Sequence, residues 1–119
     1  MSHDARIDGF AMLQVRQGRA HDEGSGVLVA LEGELDLSTV PIFVEAVDAA
    51  LSEAPGAVEL DMSKLTFIDS SGVGAYVTAF RRAKATGTKL RLGDRSPLVQ
   101  RVLQISGVEE ALAAESAEA

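Results

Sequence analysis

The sequence predicts an α/β domain in which strands and helices alternate, with parallel or mixed strand pairing. Three observations carry that prediction. Short stretches with strand character are separated by segments with helical apolar spacing. Helix-start and helix-stop residues flank those segments at the right places. The chain has 119 residues, enough for one core, and contains no linker or repeat that would divide it.

The first strand is expected over Ala11 to Arg16, where Ala11, Leu13 and Val15 alternate with Met12, Gln14 and Arg16. Gln17 to Gly26 carries glycine and serine among charges, the composition of a hairpin loop. Val27 to Leu31 is a continuous apolar run, the form of a strand covered on both faces. Gly33 to Thr39 should then turn into a helix, with Ser38 or Thr39 as N-cap and Pro41 in the first turn. Phe43, Val47, Ala50 and Leu51 make its apolar stripe, with Ile42 and Ala46 beside it, and Pro55-Gly56 ends it.

Val58, Leu60 and Met62 alternate with charges and mark a third strand, followed after Ser63-Lys64 by Leu65-Thr66-Phe67-Ile68. A second helix is expected to bury Val73, Tyr76, Val77, Phe80 and Ala83 and to stop at Gly87. Thr88 to Leu92 is a fourth strand. Ser96-Pro97 opens a third helix that should bury Leu98, Val99, Val102 and Leu103 before Gly107 closes it. Residues 108–119 are rich in Ala and Glu and suit either one helical turn or a solvated tail. The expected division is a flexible segment over 1–10, the domain over 11–112 and an acidic tail over 113–119.

Composition excludes several kinds of chemistry. The chain has no cysteine and two histidines, His3 and His21, both outside periodic segments. Thiolate sites, histidine-based metal sites and a Ser-His-Asp triad have nothing to build on, so no metal, no cofactor and no enzymatic activity are expected. Eleven basic against 18 acidic residues give a net charge of −7, which disfavours binding to phosphate backbones. The longest apolar run, Val27 to Leu31, falls far short of the roughly 20 residues that span a bilayer. The first residues show no basic stretch leading into an apolar one. No nucleic acid, no membrane insertion and a cytoplasmic setting are therefore expected.

Phe67-Ile68-Asp69-Ser70-Ser71-Gly72-Val73-Gly74 is the segment with most chemical content. Helix capping is one reading, since Asp and Ser are favoured N-caps and Gly72 permits close backbone approach. Capping needs only one such residue, however, and Val73 and Gly74 stand where a reciprocal capping acid would be. The other reading is a hydroxyl presented at a helix N-terminus, where free N–H groups favour an anion. Phosphate on Ser70 would add about −1.5 to −2 charges beside Asp69. A nucleophilic Ser70 lacks a base. Ile68 stands where a nucleophile elbow requires glycine, and no phosphate-cradling glycine motif is present.

Gly33-Glu34-Leu35-Asp36 forms a second cluster, with Asp36 or Ser38 as a helix cap and Glu34 in solvent. If the strands before Asp36 and Ser70 run parallel, both loops emerge at the same end of the sheet, where sites in open α/β sheets form. Arg81-Arg82-Ala83-Lys84 is a basic face near a helix C-terminus, well placed for the dipole and also suited to partner contact.

Gly33-Glu34-Leu35-Asp36 and Leu65-Thr66-Phe67-Ile68-Asp69-Ser70-Ser71-Gly72-Val73, together with Ser96-Pro97 through Ile105-Ser106-Gly107-Val108, resemble the STAS domain of anti-sigma factor antagonists, over about residues 11–112. The resemblance implies a mixed sheet of four to five strands packed against three to four helices. It implies further that Ser70 is phosphorylated by a partner that is both serine kinase and anti-sigma factor. Unphosphorylated antagonist would bind that partner and free the sigma factor, phosphorylated antagonist would let go, and a serine phosphatase would reset it. The docking surface carried over comprises Asp36, Asp69, Ser70, Ser71, Gly72 and Val73. The family also often has a further strand and helix after Val108, for which Glu109 to Ala119 remain here. STAS domains serve elsewhere too, so an adapter subunit of a membrane lipid-transport ATPase, or a scaffold in another signalling complex, is the alternative. A nucleotide-binding or weakly hydrolytic protein lacks the motifs it would need. A monomer, or a weak homodimer through an exposed strand edge, is expected.

Overall fold

The computed structural model describes residues 2–5, 12–20 and 26–118. In chain order the elements are β1 (Ser2–Ala5), β2 (Leu13–Arg19), β3 (Val27–Leu35), α1 (Val40–Leu51), β4 (Ala57–Ile68), α2 (Ser70–Ala85), β5 (Lys89–Arg95), α3 (Pro97–Ser106) and α4 (Val108–Glu118). The strands form one sheet in the order β1-β2-β3-β4-β5. The pairs β1/β2 and β2/β3 are antiparallel, whereas β3/β4 and β4/β5 are parallel. This is the mixed α/β sheet expected, with five strands and four helices.

Sheet order equals chain order, and that has a consequence for the faces. Both crossovers, β3-α1-β4 and β4-α2-β5, step the same way across the sheet. Right-handed connections therefore lay α1 and α2 on the same face. Burial follows: Val27, Val29, Leu31 and Leu35 of β3, and Val58, Leu60, Met62, Leu65 and Ile68 of β4, point into the core, where Phe43 of α1 is fully buried. Leu28, Ala30, Glu59 and Asp61 on the opposite face are only half-buried. The expectation that Val27–Leu31 is covered on both faces is thus corrected, because no crossover returns to the other side.

Other differences have local causes. The hairpin ladder carries β2 on to Arg19, opposite Val27, beyond the Arg16 limit expected. The two apolar stretches around Ser63-Lys64 are one strand, β4, whose pairing with β3 shifts register between Ala30 and Glu32 and again between Gly33 and Glu34. Within the segment expected to be flexible, Ser2–Ala5 form the edge strand β1, while residues 1 and 6–11 lie outside the described residues. Val108–Glu118 form α4, which buries Val108 and Leu112 and is tied to β5 by Arg95–Glu109 at 2.7 Å.

The helices bury smaller side chains than hydropathy suggests. The inward stripe of α2 is Gly72, Ala75, Tyr76, Ala79 and Ala83, while Val73, Val77 and Phe80 pack along its margins. In α3, Val99 and Leu103 are buried but Leu98 is 40% exposed, contrary to expectation. With one face of α3 in contact, residues 99 and 103, a turn apart, take that face and residue 98 falls outside it. Ser96 caps α3 by accepting from the Val99 N–H at 3.3 Å, Pro97 opens it, and Gly107, at φ 68°, closes it as expected. Arg82 Nη1 donates to both carboxylate oxygens of Asp48 of α1, at 2.6 and 2.7 Å, so part of the basic face serves to join two helices.

Two glycines in α2 should respond in opposite directions to the same change. A Cβ on Gly72 would lie 2.6 Å from the Leu35 carbonyl oxygen and 2.8 Å from Ile68 Cγ1, whereas nothing lies within 4 Å of one on Gly74. Gly72→Ala should cost about 1–3 kcal/mol through overpacking, and Gly74→Ala should add about 0.5–1 kcal/mol through helix propensity. Urea denaturation of both variants checks the signs.

Candidate functional site

Parallel pairing places the two sequence clusters together. The last pair of the β3/β4 ladder is Leu35 with Ile68. Adjacent strands lie about 4.8 Å apart, so Asp36 and Asp69, one residue further along each chain, leave the sheet side by side. Leu37 and Ser70 follow at equivalent positions. The backbone tightens the junction: the Asp69 N–H donates to the Leu35 carbonyl at 3.3 Å, and Gly72 packs against that same carbonyl. Asp36, Asp69, Ser70, Ser71, Gly72 and Val73 thus gather at one edge, where α1 and α2 both begin.

Each aspartate organises a helix start. Asp69 Oδ1 accepts from the Gly72 N–H at 3.0 Å, making Asp69 the N-cap of α2. Ser70 is therefore relieved of capping. It is exposed as the first residue of α2, and its hydroxyl makes no hydrogen bond among the described residues. Ser71 is half-buried and Gly72 buried. Of the two local readings of Asp-Ser-Ser-Gly, capping belongs to Asp69, and the Ser70 hydroxyl is the one presented.

At the Asp36 turn the expected capping aspartate is found, whereas the Ser38 or Thr39 cap also expected is not. Thr39 precedes α1 but makes no side-chain cap. Instead Asp36 Oδ1 accepts from the Ser38 N–H at 3.0 Å, the Thr39 N–H at 3.2 Å and the Ser38 hydroxyl at 2.7 Å. The Thr39 hydroxyl, with its residue 1% exposed, donates to the Glu34 carbonyl at 2.8 Å and accepts from the Asp36 N–H at 3.0 Å. Gly33 starts this arrangement at φ 116°, where a Cβ would come 2.4 Å from the Met12 carbonyl oxygen.

The Ser38 hydroxyl, followed by the backbone N–H groups, holds the Asp36 carboxyl below its ordinary value, with partial burial opposing. Two carboxylates and two helix N-termini thus share the edge. The positive helix ends moderate the acids, and an added dianion at Ser70 would meet both.

Sequence reasoning missed two residues at this edge. Leu37 is 75% exposed and Phe67 is 43% exposed. The signal for Leu37 was a large apolar residue inside a polar capping turn, where no strand or helix period assigns it to the core. A cleft of about 400 Å³ on the open sheet face, away from this edge, is lined by Gln14, Arg16, Glu32, Asp61 and Lys64, among others. Among the described residues there is no group of three or more His, Asp or Glu side chains suited to a metal ion, and no helix long and apolar enough to cross a membrane.

The Asp36 turn carries a pH signature. A carboxyl depressed in the folded state contributes stability above its unfolded value, about 3.9, and loses it as pH falls through the folded value. Asp36→Ala should therefore cost about 1 kcal/mol at neutral pH. Its deficit relative to the parent should shrink below about pH 4, as read from urea midpoints between pH 7 and pH 2.5.

Comparison with known proteins agrees with this architecture. Residues 19–114 match the family model described as "Mlab, STAS domain". The anti-sigma F factor antagonist of Paenibacillus polymyxa is 30% identical over 83 residues, covering 69% of this chain and 71% of its own. The crystal structure of an anti-sigma factor antagonist from Mycobacterium paratuberculosis superposes with a TM-score of 0.71 over 83% of this chain and 81% of its own, and at 22% identity it shows the fold. The anti-sigma factor antagonist SpoIIAA in its unphosphorylated form gives a TM-score of 0.62 at 29% identity, over 77% of this chain and 81% of its own. The phosphorylated form of the Bacillus cell fate determinant SpoIIAA gives 0.58 at 26% identity, over 80% and 86% respectively. With the motifs at one sheet edge and the family match spanning most of the chain, this protein belongs to the STAS domain family.

Proposed function

We propose that this protein is an anti-sigma factor antagonist that works as a partner switch. Its unphosphorylated form binds an anti-sigma factor that is also a serine kinase, through Asp36, Asp69, Ser70, Ser71, Gly72 and Val73, and so releases the sigma factor. Phosphorylation of Ser70 ends that contact, and a serine phosphatase restores it. The protein acts in the cytoplasm as a regulator, and the chemistry is done by its partners.

The observation that carries this reading is the division of labour at the start of α2. Asp69 caps the helix, leaving the Ser70 hydroxyl exposed and unengaged beside two acidic side chains. Related antagonists named for sigma-B and sigma-F control support the regulatory role, and SpoIIAA, a similar chain, is known in both unphosphorylated and phosphorylated forms. Electrostatics gives the direction: a phosphate adds about −1.5 to −2 charges in a docking edge that already holds Asp36 and Asp69. Each 1.4 kcal/mol of resulting repulsion weakens binding about tenfold.

Incubation with ATP in extract of the source cells, followed by mass spectrometry, should find phosphate on Ser70 and none on Ser70→Ala. With the kinase purified, Ser70→Asp should bind at least about tenfold more weakly than Ser70→Ala. Equal affinities would remove the switch. An unmodified Ser70 in an extract with demonstrated kinase activity, with co-purification of a transport ATPase, would replace this reading with the lipid-transport adapter.

A further inference from the structure

Leu37 has no role inside the fold. It is 75% exposed, it lies outside α1, and the turn that contains it is held by its neighbours. Isolated exposed leucines are ordinary on soluble proteins, so exposure alone says little. Two further observations set Leu37 apart.

The first is rigidity. The backbone is clamped before Leu37 by Asp36, whose Oδ1 accepts from the Ser38 and Thr39 N–H groups and the Ser38 hydroxyl. It is clamped after Leu37 by Thr39, whose buried hydroxyl links the Glu34 carbonyl to the Asp36 N–H. An apolar side chain on so fixed a turn loses little backbone freedom when a partner covers it.

The second is position. Leu37 and Ser70 each stand two residues beyond the terminal Leu35–Ile68 pair of the β3/β4 ladder. Phe67, 43% exposed, precedes that pair on β4, opposite Glu34. Two of the large apolar side chains left exposed among the described residues therefore bracket the strand ends that carry the phosphoacceptor.

From this we infer that Leu37 is the apolar anchor by which the Ser70-directed kinase docks, and that the kinase presents an apolar hollow to receive it. The inference rests on the partner-switch reading and adds to it the chemistry of the partner surface. Polar contacts to Asp36 and Asp69 alone would leave the interface wet and salt-sensitive. An apolar centre beside Ser70 excludes water, as the cores of protein interfaces do. A phosphate formed there must enter a poorly solvating contact, so the same leucine that supports docking sharpens release.

The test measures initial rates of Ser70 phosphorylation in source-cell extract with ATP, over a range of added protein. The chains compared are the parent, Leu37→Ser, Leu37→Met and Ile105→Ser. Ile105, 80% exposed on the last turn of α3, controls for loss of an exposed apolar side chain in general. Thermal melts confirm that each variant is folded. The expected result is a rate for Leu37→Ser at least about tenfold below the parent at low protein concentration, equivalent to 1.4 kcal/mol. The change should appear in the half-saturating concentration, with Leu37→Met near the parent and Ile105→Ser unchanged. A folded Leu37→Ser labelled within twofold of the parent, or an equal loss in Ile105→Ser, overturns the anchor and leaves the switch standing. A parent chain that takes no phosphate on Ser70 overturns both.

Discussion

The terminal pair of the β3/β4 ladder governs this structure. Leu35 and Ile68 are both buried and directly opposed in a parallel pair. Their common burial sets where the two strands end relative to each other, since a slip of one residue would turn one of them out of the core. Everything at the candidate edge is measured from that pair. Asp36 and Asp69 come next, then Leu37 and Ser70, and Gly72 folds back onto the Leu35 carbonyl. The absence of a side chain at position 72 is what allows α2 to start so close to β3. The hydrophobic core thereby specifies the layout of a polar surface.

Two aspartates at matching positions then do similar work by different geometry. Asp69 bonds one N–H of α2, whereas Asp36 gathers two N–H groups and a hydroxyl ahead of α1. A short polar side chain at a strand-to-helix junction satisfies donors that the helix leaves open. In both turns the residue after the aspartate is spared that duty and faces outward. One such residue is Ser70, the other Leu37, and the proposed function draws on the first while the further inference draws on the second.

Much of this was legible in the amino-acid sequence, for identifiable reasons. Alternation and helical spacing placed β2, α1, β4 and α3, and Ser96, Pro97 and Gly107 bounded α3 correctly because capping chemistry is local. That the Asp36 and Ser70 loops leave the same end of the sheet was readable from the strand and helix pattern, whereas the six candidate residues as a set came from the family resemblance. What escaped depended on tertiary arrangement. The open sheet face follows from two crossovers stepping the same way. The alanine stripe of α2 follows from close helix-to-sheet approach, where small residues outcompete the larger Val73, Val77 and Phe80. Leu98 belonged to the helical pattern but not to the contacting face. Leu37 belonged to no pattern, and its setting became apparent only once Asp36 was seen to clamp the turn.

Under the proposed phosphorylation of Ser70, the Asp69 cap also bears on how much of the protein a cell would contain in either state. Since the residue that secures the start of α2 is not the one that presents the hydroxyl, position 70 can change its charge while the elements holding the domain together stay as they are. Breakdown by proteases tracks how often a chain opens, which depends on the packing of the buried core, and exposed Ser70 is no part of that core. The number of molecules and the state of each molecule are thus separate variables. A cell could alter the message carried at this edge within the lifetime of a single chain, with no need to make or destroy any copies.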